Sequence, residues 1–299
     1  MISVIVPVDN RIEYLSPCIE SIQNQTYQDI EMIFVCDGES AAKDILHDAQ
    51  KSDARIRYIE IPKSGPGVAR NVGISESSGE YIAFCDSDDI LPFNALDRLM
   101  RKMVRSRADI VIADFIEQYD SGVSIHCTVS QGIDGFERFF AYISIWNRLY
   151  RRQFLSEHHI AFEAVSQGED MLFLADVFLS KPKVAVLYEV VYQWQRHETD
   201  HHRTLTHSDS QAAFLEILGS WRQFIAKMSP HYNDKVLNFS RNACPYLLDR
   251  LGNIRDFGKR EEAFCQFKEL LKLMDWHKYP VRFKKLFRVH YDVMMAQNG

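Results

Sequence analysis

The chain has 299 residues, enough for one large domain or a domain with an appendage, and its 46% hydrophobic and 25% charged composition is that of a soluble protein. A net charge of −6 argues against nucleic acid as the main partner, and no apolar run approaches the 18 residues of a membrane span. Six scattered cysteines with no CxxC pair offer neither a disulfide framework nor a zinc knuckle and fit a reducing cytoplasm, and a strand that begins at Ile2 leaves no room for a signal peptide.

In chain order, Ile2–Val6 is a β-branched run predicted as a strand, and Leu15, Ile19 and Ile22 follow at helical spacing. A second strand is predicted over Ile30–Val35, ended by Asp37 and Gly38. Arg55–Ile61 alternates and is stopped by Pro62. A turn at Gly65-Pro66-Gly67 leads into a helix predicted from Val68 to about Glu76. Tyr81–Phe84 is a short buried strand. Leu96, Leu99, Met100, Met103 and Val104 line one face of the next helix, and Ile110–Ala113 is a further strand. Strands alternating with helices predict an α/β fold with a mainly parallel sheet flanked by helices. Beyond about residue 115 the pattern is less regular. Phe136–Trp146, Arg151–His158 and Glu169–Leu179 are predicted helical, Val184–Tyr188 and Val190–Trp194 extended. From Ser208 onward every signal is helical, with breaks near Pro230, near Gly252 and at Pro280, which predicts a helical C-terminal region.

Asp86-Ser87-Asp88-Asp89 directly follows the Tyr81–Phe84 strand. Like charges this close raise one another's pKa and are costly unless a cation neutralises them. Oxygen-only ligands point to Mg²⁺ or Mn²⁺. In an open α/β sheet the carboxyl ends of the strands are where a phosphorylated ligand binds. The cluster therefore reads as a metal-diphosphate site; the alternative is an acidic turn that caps the helix starting near Pro92.

Several ordered segments together resemble the family 2 inverting glycosyltransferases of the GT-A fold, of the type that builds bacterial cell-surface polysaccharides. They are Ile2–Asn10, Leu15–Thr26, Ile33–Gly38, Gly67–Gly73 and Gly79–Asp89, then Trp146–Arg152, Gly168–Phe173 and Tyr192–His197. The likeness covers two thirds of the chain. It implies a glycosyltransferase domain over residues 1–204, with a nucleotide-binding half to about 115 and an acceptor half from about 116, followed by a helical region over 205–299.

The resemblance assigns Asp86-Ser87-Asp88 to the DxD motif, with Asp88 on the metal and Asp86 on the ribose or the metal's water. It places Pro7 and Asp9 at the donor site and assigns Asp37 to the base. Two positions depart from the family pattern: Cys36 stands where a first aspartate is usual, and Asp9 stands where a tyrosine usually stacks on the base. Arg70 and Asn71 border the donor pocket in this match, or pack the start of their helix. Gly65-Pro66-Gly67-Val68-Ala69-Arg70 is not the GxGxxG spacing of a dinucleotide fold.

Glu169-Asp170 falls at the family's acidic pair, which implies Asp170 as the base that deprotonates the acceptor, with Glu169 orienting it. Glu169 alternatively binds the acceptor, or the two acids exchange roles, and the same pair suits a helix N-terminus in either case. Trp146 is either an acceptor-sugar platform or a core residue. Arg196 is placed on the diphosphate, and His197 beside it is a further possible metal ligand, although 197–203 lacks the HExxH arrangement. Lys278, Arg282, Lys284, Lys285 and Arg288 make 276–291 basic, either a peripheral contact with an anionic membrane or a solvated helix face.

The combined expectation is a metal-dependent transfer of a sugar from a nucleotide-diphosphate donor, by default a UDP-sugar, to a hydroxyl of a glycan or lipid-linked glycan. Its setting would be cytoplasmic, at the inner face of the membrane. The alternatives are a non-catalytic sugar-nucleotide or glycan-binding protein, and a nucleotidyltransferase on a similar fold.

Overall fold

The computed structural model describes residues 1–9, 11–38, 41–129, 135–197 and 210–275, together with 285 and 288. Four apolar runs become parallel strands: β1 (Ile2–Val8), β2 (Ile30–Asp37), β3 (Ile56–Ile61) and β4 (Tyr81–Phe84), lying side by side in the order β3-β2-β1-β4. β1, β2 and β4 are buried along almost their whole length, as strands covered on both faces must be. The covering helices here are α1 (Leu15–Gln23), α2 (Ala42–Ser52), α3 (Pro66–Ser75) and α4 (Ala95–Ser106). α3 starts with Gly65 at φ +91° followed by Pro66, a turn that only glycine makes without strain and a first helical position that suits proline. It lies so close to β1 that a Cβ on Gly73 would collide with the Ile5 side chain.

The sheet continues through β5 (Ile110–Tyr119), β6 (Ser124–Cys127), β7 (Arg148–Arg151) and β8 (Val184–Arg196). β7 is antiparallel and sits between β4 and β5; β6 is antiparallel to β5, and β8 runs parallel along the whole of β5. Among the described residues this is one eight-stranded, mostly parallel sheet. α5 (Gly135–Phe139), α6 (Arg152–Glu157) and α7 (Glu169–Leu179) occupy the same part of the sequence.

Three local expectations change. The helix predicted over Phe136–Trp146 ends at Phe139, because the buried Arg148 guanidinium takes the carbonyls of Phe139, Tyr142 and Ser144 that a continuing helix would need. The two strands predicted at 184–194 are one, β8, whose register slips past Asp114 in a bulge that reads as a break in sequence. On α4, Leu96, Leu99 and Met103 are buried as expected, whereas Val104 is exposed.

By packing, the chain divides into two units, Met1–Ala164 with Asp176–Asp200, and Val165–Ala175 with His201–Gly299. In the second, α8 (Gln211–Gly252) starts at a Ser210 cap and α9 (Phe257–Leu273) at an Asp256 cap. α8 is interrupted at Tyr232 (φ −142°), next to the predicted break at Pro230. Phe214, Trp221 and Phe224 of α8 and Phe264, Phe267 and Leu270 of α9 are buried in this unit. No helix among the described residues is long and apolar enough to cross a membrane. The basic segment 276–291 lies outside the described residues apart from Lys285 and Arg288.

One half-buried acid knits the parallel strands together. Glu31 on β2 accepts hydrogen bonds from the Ser3 hydroxyl on β1 and from the backbone N–H groups of Ser78 (2.7 Å) and Gly79 (3.0 Å) just before β4. Burial opposes its ionisation, and these donors overcome that and hold the carboxyl below its ordinary 4.5. The stabilisation is therefore present above pH 4.5 and lost as pH falls through the lowered value. Glu31→Gln is expected to cost about 1–3 kcal/mol at pH 7 in urea denaturation, with the gap to wild type narrowing as pH falls below 4.5.

Candidate functional site

β4 stops at Phe84, three residues before β1 does in the shared register, and the Cys85 N–H still bonds to the Ile5 carbonyl. Beyond that point β1 has no strand partner on its β4 side among the described residues, and Pro7, which has no N–H to offer, sits there paired with β2. The chain leaving β4 turns sharply, the Asp89 N–H bonding to the Asp86 carbonyl at 3.1 Å. Asp86, Ser87, Asp88 and Asp89 therefore gather at the carboxyl end of the sheet.

Each acid of the turn has its own partner. Arg70, buried on α3, donates from Nη2 to Asp86 Oδ1 at 2.9 Å and lies over the Phe162 ring. Asp88 is bound by Nη1 of Arg11. Asp89, 1% exposed, accepts from the Tyr192 hydroxyl and from the Gln195 N–H, both at 2.7 Å. The same hydroxyl accepts the Asp86 N–H at 3.0 Å, so one phenol on β8 ties two corners of the turn. Burial, then the charges of Asp88 and Asp86, push the Asp89 carboxyl well above the ordinary range. Burial also raises Asp88, against the pull of Arg11.

Asp9 makes no ring stack; it anchors Arg11. Its Oδ1 accepts the Arg11 N–H and its Oδ2 accepts Nε, both at 2.9 Å. Burial works against the Arg11 charge, and Asp88, Asp9 and Asp86 outweigh it and raise the guanidinium's pKa further. Asp9, Asp86, Asp88 and Arg70 are thus brought together, and Arg11 is the member that sequence reasoning missed. The signal was available: a lone cation two residues beyond the one acid that breaks the family pattern.

Other predicted residues are engaged elsewhere. Asp37 is buried, and its oxygens accept the N–H groups of Ser64 (2.6 Å) and Gly65 (3.1 Å) and the Lys63 ammonium (2.9 Å), so it holds the loop that starts α3. Cys36 beside it is fully buried, and burial with the nearby Glu60 pushes its thiol up to about 11. Asn71 spends its amide on Phe162, donating to the carbonyl and accepting the N–H at 2.8 Å each. Trp146 is 9% exposed and stacked on Tyr192 at 4.1 Å, which covers an indole face. Arg196 lies 4.3 Å from the Trp194 ring. His197 stacks on Tyr14 at 3.7 Å and approaches Asp120 at 3.5 Å; residues 198–203 lie outside the described residues.

Glu169 and Asp170 occupy the first turn of α7, in the second unit. The loop before them is held on α8: Ser220 donates to the Gln167 carbonyl at 2.6 Å, Arg250 to the Gln167 side chain at 3.0 Å, and Ser166 bonds to Glu216. Gly168 has φ +83°, and a side chain there would meet Ser220.

A divalent cation at this site would find Asp88 and Asp86 as hard oxygen donors. Among the described residues no three His, Cys, Asp or Glu side chains converge to form a cage. Two carboxylates are a donor set for Mg²⁺ or Mn²⁺, which are held by one or two carboxylates with substrate phosphates and water supplying the rest. The residues present fit such an ion.

The sequence model of glycosyl transferase family 2 matches residues 3–158. The chain belongs to that family. It is 33% identical over 212 residues to the glycosyltransferase GlyA of Streptococcus pneumoniae, covering 65% of this chain and 30% of GlyA. It is 42% identical over 104 residues to the GalNAc(5)-diNAcBac-PP-undecaprenol beta-1,3-glucosyltransferase of Campylobacter jejuni, 34% of each chain. The chain thus spans only about a third of the length of either relative. The crystal structure of Staphylococcus aureus TarS in complex with UDP-GlcNAc superposes with a TM-score of 0.66 at 16% identity, over 93% of this chain and 91% of that one. The fold of this family 2 chain is accordingly GT-A.

The Tyr192 hydroxyl serves both Asp89 and the Asp86 N–H, so Tyr192→Phe strands two buried polar groups at once. It is expected to cost about 1–3 kcal/mol in chemical denaturation. An unchanged midpoint would show that the turn does not depend on this bond.

Proposed function

We propose that the chain is a metal-dependent inverting glycosyltransferase that moves a hexosyl group from a UDP-sugar to a hydroxyl of a glycan or lipid-linked glycan. The observation that carries this reading is the pair Asp86 and Asp88 at the carboxyl end of β4, on a GT-A sheet, with two guanidiniums beside it. Similar proteins support the substrates: TarS was crystallised with UDP-GlcNAc, and the Campylobacter enzyme is named for an acceptor on undecaprenyl diphosphate. An acceptor of that kind would place the work at the inner face of a membrane.

A divalent ion on Asp88 and Asp86 would supply neutralisation of the charge that develops on the departing diphosphate. The chain's own groups do the remaining work. Arg70 and Arg196 contribute positive charge to the donor phosphates, and Ser87 and Pro7 border the donor site. Asp37 holds the Ser64–Gly65 loop and keeps about one acceptor site for a base N–H. Asp170 takes the proton of the acceptor hydroxyl as that oxygen attacks C1 and the C1–O bond to the diphosphate breaks on the opposite face, inverting the anomeric centre. Glu169 orients Asp170. Trp146 supports the acceptor side through the edge it leaves exposed.

Asp88→Ala is expected to lose Mn²⁺-dependent turnover. Asp170→Asn is expected to bind UDP as the wild type does while transfer falls by about 10²–10⁴; transfer at the wild-type rate would refute the base assignment. Donor hydrolysis by the wild type with Mn²⁺ separates the enzyme from a non-catalytic binding protein, the reading that the departures at Asp9 and Cys36 would favour.

A further inference from the structure

Asp9 and Arg11 form a unit that the family pattern does not contain. Arg11 is fixed at its base by two bonds to Asp9, and its far end reaches Asp88, the carboxylate assigned to the metal. The three side chains are 31%, 20% and 12% exposed, so solvent screens the contact only in part. A guanidinium keeps its charge at any physiological pH, so its hold on Asp88 ends only when another anion takes its place. It also occupies Oδ2, one of the two oxygens that Asp88 could offer a cation.

We propose that Arg11 is a resident counter-ion that competes with the divalent cation for Asp88 and so couples metal binding to nucleotide binding. The proposal rests on the metal-dependent reading above. Three carboxylates, Asp9, Asp86 and Asp88, already face two guanidiniums, Arg11 and Arg70, which leaves little attraction for a bare divalent ion. A nucleoside diphosphate changes the balance. It offers Arg11 an anion that its planar fork matches, Arg11 pivots on its Asp9 anchor, and Asp88 becomes available to the cation. By linkage each ligand then strengthens the other. In this account Asp9 replaces a base-stacking ring with a tether, and gives the donor site an electrostatic latch.

The test measures Mn²⁺ binding directly, by electron paramagnetic resonance of the free ion, with and without UDP, on the full chain. Wild type, Arg11→Lys and Arg11→Gln are compared, with circular dichroism to verify folding. Arg11→Gln is expected to bind Mn²⁺ alone about tenfold more tightly than wild type, and UDP should add about tenfold less to its Mn²⁺ affinity. Arg11→Lys keeps the charge but cannot span both carboxylates, and should fall between the two; if the glutamine variant does not fold, the lysine variant carries the test. A purely structural arginine would on removal weaken metal binding, not strengthen it. Wild type binding Mn²⁺ as tightly as the folded variants overturns the proposal and leaves the metal-dependent reading standing. Absence of Mn²⁺ binding in every protein, with UDP present, overturns both.

Discussion

A strand that ends in three carboxyl groups needs positive charge or hydrogen-bond donors delivered to it from elsewhere in the fold. Two unit charges 4 Å apart in a partly screened protein environment interact by about 4 kcal/mol, far more than a typical exposed ion pair contributes. The chain meets this demand from three directions: Arg11 from the segment after β1, Arg70 from α3 and Tyr192 from β8. The partners lie 77, 16 and 103 residues from the acids they serve. The sheet order that brings β1, β4 and β8 to this turn is thus also the arrangement that makes the turn tolerable, and fold and site cannot be separated energetically.

Much of the polar content of the family's motifs is architectural in this chain. Asn71 clamps Phe162, Asn147 donates to the Ala113 carbonyl, Arg148 gathers the carbonyls of the 139–144 segment, and Asp37 holds the turn into α3. Each satisfies backbone groups that the irregular connections of a large α/β sheet would otherwise leave unpaired. The acidic pair at the start of α7 gains from the same economy: Gln167 and Ser166 fasten the preceding loop, so Glu169 and Asp170 are presented from a fixed helix end.

The legible parts of the fold were those where local pattern and tertiary role coincide. β1, β2 and β4 are apolar runs buried on both faces, and the acidic turn stands out by charge alone. β7 was not legible, because Arg148 and Arg151 make Arg148–Arg151 look polar, although the first is buried against the carbonyls of its own approach loop. β8 looked like two strands because a bulge interrupts its alternation. The partner of Arg11 was hidden for a different reason, even though the arginine's position beside Asp9 was a signal. An arginine three residues past a strand is unremarkable until the sheet places Asp88 opposite it, and no local rule encodes a pairing across 77 residues.

The close approach of α3 to β1 at Gly73 has a consequence beyond packing. Arg70 and Gly73 lie one turn apart on the same helix, and both are buried. The depth at which the helix docks sets how far the Arg70 guanidinium extends toward Asp86. A missing methyl group on the floor of the sheet therefore acts as an electrostatic component: it meters the charge that reaches a carboxylate it never touches. Any residue larger than glycine at position 73 would be felt, through the lifted helix, as a change of ionic balance at the far rim.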